Sequence, residues 1–283
     1  MTDTLNEQKS IGKNLLLPIL IWAGIIVVFL NVKHIPYDFS EKEALVVRYL
    51  VKVIFTVTLP LLFIHLLYKE KSDFGIYLPK LTDSLKLTFR SFGVVGPAGM
   101  TFLLIGTLGL TFADWGGSFI LTAVYLLVLY FIPKITKSLP TRDHLKTHNN
   151  KMSTFAVLGM LTVIVTYATV DWVPQISKAM YYLFIVGLGE ELLFRGYMQS
   201  AFNRYFGKPF RIGNVSFGWG LILAAILFGL MHALVVSPPL WPWALFTFAL
   251  GLTFGFIREK DGSILAPVLL HGLSDMPLVF FSV

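Results

Sequence analysis

Apolar residues run along this chain in long blocks separated by short polar stretches. Each block approaches the ~20 residues a helix needs to cross a hydrocarbon layer. The pattern predicts helical spans at roughly 15–32, 45–68, 91–112, 118–134, 153–170, 178–200, 215–236, 241–257 and 263–282. Together they form an all-α, polytopic transmembrane bundle of about nine spans, the fourth of them short. The first block has no small-residue cleavage site, and further spans follow it. It is therefore read as a span and not as a cleavable signal.

The longest polar stretches cover 69–90 and 134–152. In the first, Phe74, Ile76, Leu78, Leu81, Leu85 and Leu87 alternate with charges, a pattern suited to a helix lying in the interface. The second reads as a solvated loop. It divides the chain into a front part, 1–152, of about four spans with basic loops, and a back part, 153–283, of about five. Both belong to one membrane domain. No internal repeat is visible, which disfavours an inverted-repeat transporter. Two glycine series suggest close helix packing: Gly93, Gly96 and Gly99 in the third span, with Pro97 as a kink, and Gly251 with Gly255 in the eighth.

Composition agrees with the blocks. Hydrophobic residues make up 55% of the chain and charged ones 14%, whereas a soluble domain is about a quarter charged. There is no cysteine, which excludes disulfides, thiolate nucleophiles and cysteine metal sites. The net charge is +7, and its distribution matters more than its size. Alternate loops carry 17 of the 23 Lys and Arg residues, Arg258 and Lys260 among them. The opposite side has five, including Arg48 and Lys52, which can snorkel to the outer headgroups. Basic loops stay cytoplasmic. The expected topology is a multi-pass protein of the plasma (inner) membrane with a cytoplasmic amino terminus and an external carboxyl terminus. Anionic lipid and topology account for the basic excess without a nucleic-acid partner.

Ionisable groups inside spans are costly and usually mark function. The front spans offer little beyond His65, which reads as a packing residue. The back spans carry three polar clusters embedded in apolar helix. These are Glu190, Glu191 and Arg195 in span six, Phe228 and His232 in span seven, and His271 and Asp275 in span nine. Residues four apart share a helix face. Glu191 and Arg195 can therefore neutralise each other, whereas the residue four beyond Glu190 is Phe194. Glu190 has no counter-ion on its own helix, so its partner must come from another helix or from water. His271 and Asp275 can face one cavity, and Phe228 can wall one side of the His232 imidazole. A carboxylate flanked by imidazoles can act as a general base on water. Glu190, His232 and His271 could equally hold a zinc ion with one position left for water. A buried network that only ties three helices together is the alternative.

At these residues the chain resembles the CAAX protease and bacteriocin-processing (CPBP, or Abi) family of intramembrane proteases. The matching patterns are Glu190-Glu191-x-x-x-Arg195, Phe228-x-x-x-His232 and His271-x-x-x-Asp275, in the family's order, within roughly residues 178–282. The resemblance implies peptide-bond hydrolysis in the membrane. It also implies that Glu190 with His232 activates water, and that His271 and residue 275 stabilise the oxyanion or help hold a metal. Glu191 and Arg195 would support them. The implied substrate is a membrane-anchored peptide or protein tail. Both Zn2+ and a metal-free glutamate mechanism stay open. Residue 275 is Asp where the family often has Asn. An ionised Asp cannot donate to an oxyanion, so Asp275 would be protonated, orient His271 or bind metal. Two other functions use the same network: a transporter that binds cations or relays protons, and a non-catalytic scaffold or immunity protein.

Overall fold

The computed structural model describes residues 10–32, 40–141, 152–169, 171 and 173–280. Much of the polar stretch 134–152, with Arg142, Lys146 and Lys151, lies outside these residues. Nine helical runs account for almost all of what is described. They are α1 (Gly12–Val32), α2 (Lys42–Leu67), α3 (Leu81–Thr107), α4 (Trp115–Ile135), α5 (Met152–Thr169), α6 (174–206), α7 (Trp219–Leu234), α8 (Trp241–Asp261) and α9 (Leu265–Asp275). A single turn, Pro277–Phe280, follows α9. A short antiparallel hairpin, β1 (Phe210–Ile212) and β2 (Val215–Phe217), joins α6 to α7. The chain is thus an all-α helical membrane protein apart from that hairpin. α1 to α4 are each long and apolar enough to cross a membrane unaided. α4, read from sequence as short, has 21 residues.

Local signals set the helix ends. Ser40 and Glu43 form a reciprocal capping box at the start of α2. Asp114 caps α4 by accepting from Gly117 N–H. Gly262, at φ +76°, ends α8 in the left-handed region that suits glycine.

Two apolar clusters hold the bundle. In one, Ile21 and Ile25 of α1, Val53, Val57 and Leu61 of α2, and Phe155 of α5 pack on Leu192, Phe194 and Phe228 of α6 and α7. The other gathers α3, α4, α8 and α9 around Leu121, Tyr125, Phe246, Phe254 and Leu270. Each cluster therefore joins helices from the front of the chain to helices from its back. The Trp22 indole donates to the Leu227 carbonyl at 2.9 Å, tying α1 to α7.

Several expectations are corrected. Residues 69–80 form no interfacial helix. Phe74, Ile76 and Tyr77 are buried around one short 3-10 turn, and α3 starts only at Leu81. That segment is held by α8 and its end: the Ile264 N–H donates to Gly75 O, Ser263 Oγ to Tyr77 O, and the Arg258 guanidinium to Asp73 O. Arg258 and Lys260 do not lie in a loop. They belong to the last turn of α8 and are buried with Glu259, whose carboxylate accepts from Gln199, Asn203 and Lys208. The glycine series in α3 packs against nothing: a Cβ at Gly93 or Gly99 would meet no atom within 4 Å, and one at Gly96 only its own helix's Phe92. Gly251 and Gly255 behave as expected, since a Cβ there would press on Ala225, Phe228 and Leu221 of α7.

Candidate active site

α6 is the central element. Wide π-helical turns at Tyr181–Leu188 and Leu192–Met198 flank the short α-helical stretch Gly189–Glu191. Such turns are frequent at functional sites. Two glycine contacts bring neighbouring helices close. A Cβ on Gly189 would sit 2.4 Å from Thr56 Oγ1, so α2 lies almost on the α6 backbone. A Cβ on Gly272 would sit 2.4 Å from Leu183 Cδ1 and 3.0 Å from Leu183 Cα, so α9 is equally close.

These approaches gather side chains from four helices. Glu190 Oε2 lies 3.8 Å from His232 Nε2 and 4.0 Å from His271 Nε2. His271 Nε2 also lies 3.6 Å from Asp275 Oδ2. Glu190, His232, His271 and Asp275, singled out on three helices, therefore converge on one spot. His232 is less embedded than its sequence context suggests, since it stands in the last turn of α7.

The other ring nitrogens set the tautomers. His232 Nδ1 lies 2.8 Å from the Phe228 carbonyl, which can only accept. His271 Nδ1 lies 2.8 Å from Glu191 Oε1, which also accepts from Arg195 at 3.0 Å. Both Nδ1 atoms therefore carry the proton and donate outward. In the neutral rings, both Nε2 atoms present lone pairs to Glu190. Phe228 stands edge-on to His232 at 4.5 Å between centroids, and Phe254 stacks on His271 at 4.9 Å.

Glu191 and Arg195 form the expected i,i+4 pair, fully buried, and Arg195 also donates to the Gly251 carbonyl at 3.1 Å. Its guanidinium lies over the Phe228 ring at 4.3 Å. Sequence reasoning missed one member of the site. Lys52 does not snorkel to the headgroups: its ammonium donates to Glu190 Oε1 at 3.0 Å. The signal was present, since Lys52 was a cation without a partner inside one span and Glu190 an anion without a partner inside another.

Glu190 Oε2 is buried and has no hydrogen-bond partner among the described residues. With both rings neutral, three acceptors thus face one another: one carboxylate oxygen and two imidazole lone pairs. Only a species that donates hydrogen bonds or carries positive charge can satisfy them. By donor type, the set would suit zinc. A tetrahedral zinc site with bonds of about 2.0–2.2 Å spaces its donors roughly 3.3–3.6 Å apart. The separations here are 3.8 and 4.0 Å, and the Lys52 ammonium already engages the same carboxylate. No group of three or more His, Asp or Glu among the described residues is set to hold a metal. As arranged, these residues do not fit a bound metal.

Residues 171–276 match the family model described as Type II CAAX prenyl endopeptidase Rce1-like. No curated protein and no solved structure matches the chain.

Proposed function

Because residues 171–276 match the Rce1-like type II CAAX prenyl endopeptidase family model, we propose that this chain hydrolyses peptide bonds of membrane-anchored peptides with Glu190 as general base. The observation that carries the reading is the unpartnered Glu190 Oε2 facing the Nε2 atoms of two imidazoles. A water held there donates one hydrogen to Oε2 and the other to an Nε2, leaving an oxygen lone pair for attack. Glu190 takes the proton as the water oxygen bonds to the scissile carbonyl carbon. The carbonyl π electrons move to oxygen and form the oxyanion. As the oxyanion reforms the carbonyl and the C–N bond breaks, Glu190 delivers the proton to the leaving nitrogen, giving a carboxylic acid and an amine; the acid's proton then passes to the amine, leaving carboxylate and ammonium. His232 and His271 orient the water, each fixed through its Nδ1.

Lys52, His232 and Asp275 keep about a fifth of their side-chain surface exposed, while Glu191 and Arg195 keep essentially none. In our reading the site opens at the end of the bundle where α7 and α9 finish and α2 begins. With a cytoplasmic amino terminus in the plasma membrane, that end faces outward. The substrate then enters as a hydrophobic or lipidated tail anchored in the bilayer.

The test uses the full chain in lipid vesicles with an internally quenched, farnesylated CAAX-type peptide. Wild type should cleave it, and Glu190→Gln should lower the rate about 10²–10⁴-fold while staying monodisperse and folded. Cleavage by the variant at the wild-type rate, or none by wild type, overturns the reading.

A further inference from the structure

Among the described residues, no lysine or arginine touches the Glu190–His232–His271 centre, with one exception. The imidazoles turn Nε2 inward, and Asp275 adds a second carboxyl group 3.6 Å from His271 Nε2. Arg195 is the other nearby cation, and it donates to Glu191 and to the Gly251 carbonyl. Lys52 is the exception. It comes from α2, outside residues 171–276, and its ammonium stands 3.0 Å from Glu190 Oε1.

We propose that Lys52 is a positioning residue of the hydrolysis, so that the reacting site is complete only with a helix from the front of the chain. The proposal rests on the reading of Glu190 as the base. The bond to Oε1 fixes rotation of the carboxylate and leaves Oε2 directed at the imidazoles. The ammonium also stays behind when the charge moves. As Glu190 becomes neutral, a negative charge appears on the substrate oxygen, and Lys52 is the cation left beside it. Local geometry favours the arrangement. Thr56 lies one turn after Lys52, sits so close to α6 that a Cβ at 189 would meet its Oγ1 at 2.4 Å, and donates to the Lys52 carbonyl at 2.8 Å. The Tyr181 ring, 5.7 Å from the ammonium and stacked on Tyr49 at 4.5 Å, backs the site.

A pair that only neutralises a buried carboxylate would show the same distance, so the test must separate charge from packing. The chain has no cysteine, which makes the thiol of Lys52→Cys unique. Its thiolate displaces bromide from 2-bromoethylamine and regains an ammonium at nearly the native position. 1-Bromopropane gives a neutral side chain of the same length. With the farnesylated quenched peptide, Lys52→Cys should lose about 10²-fold in kcat with KM little changed. Aminoethylation should restore most of that loss, and propylation should not. Full activity before alkylation, equal recovery by both reagents, or recovery by neither overturns the proposal. If Lys52→Cys does not fold, Lys52→Arg against Lys52→Met decides: activity in the first alone supports it, and any other pattern rejects it. An active Glu190→Gln variant would instead remove the parent reading, so the two failures are distinguishable.

Discussion

His271 donates from Nδ1 to Glu191 Oε1 at 2.8 Å, across the contact between α9 and α6. The same oxygen accepts from Arg195. Glu191 is therefore an orienting group: it fixes the His271 tautomer and turns Nε2 inward. A neutral amide holds an imidazole less firmly than a carboxylate, and its NH2 group can present a donor to Nδ1. Glu191→Gln should lower kcat about 10–100-fold, the usual effect of losing such a supporting partner, with little change in KM. An unchanged kcat in a folded variant would remove Glu191 from this role.

Arg195 and Glu191 are both buried, at 1% and 0% side-chain exposure. Removing one partner of such a pair strands a charge and typically costs about 3–5 kcal/mol. Arg195→Met should therefore unfold at a clearly lower temperature in detergent than wild type. The double variant Arg195→Met with Glu191→Gln should recover part of that loss, because no charge is then left alone. A double variant no more stable than the single would show that packing of the guanidinium on Phe228, and not charge, dominates.

The pairing of Glu191 with Arg195 and the shared face of His271 and Asp275 were legible in the sequence because both are one-helix relationships, read from spacing alone. The need for an outside partner at Glu190 was legible for the same reason. Which partner it took was not. Lys52 lies 138 positions away, and its pairing depends on how α2 crosses α6. Charge counting went astray at Arg258 and Lys260 because a basic residue at a helix end looks the same whether it meets water or buried acceptors, Glu259 and Asp73 O for Arg258 and the Leu139 carbonyl for Lys260. The α3 glycines mislead in the opposite way: spacing marks where helices could approach, and only the fold decides whether one does.

We expect the reaction to proceed without a metal ion. Glu190 Oε2 stands 3.8 and 4.0 Å from the two imidazole nitrogens, wider than the roughly 3.3–3.6 Å between donors of a tetrahedral zinc site, and the Lys52 ammonium engages the same carboxylate. Prolonged dialysis of the purified chain against 1,10-phenanthroline or EDTA should leave cleavage of the quenched peptide unchanged. Elemental analysis of the dialysed, active protein should find zinc well below one equivalent. Loss of activity on chelation, restored by added zinc, would refute the metal-free mechanism.

Gly189 offers a test of the helix approach itself. It precedes Glu190 but touches none of the reacting groups. A Cβ there would collide with Thr56 Oγ1 at 2.4 Å. The clash can be relieved by moving α2 outward or by turning the Thr56 hydroxyl, which now donates to the Lys52 carbonyl. Overpacking of this kind usually costs about 1–3 kcal/mol. Gly189→Ala should therefore lower both stability and kcat, because α2 carries Lys52 away from Glu190. Gly189→Ala combined with Thr56→Ser deletes only a methyl group and keeps the clashing oxygen, so it should recover little. Gly189→Ala combined with Thr56→Ala removes that oxygen and should recover much of both losses. Equal recovery in the two double variants would mean that the hydroxyl is not what separates the helices, and that the tight α2–α6 contact is not what sets the distance between Lys52 and Glu190.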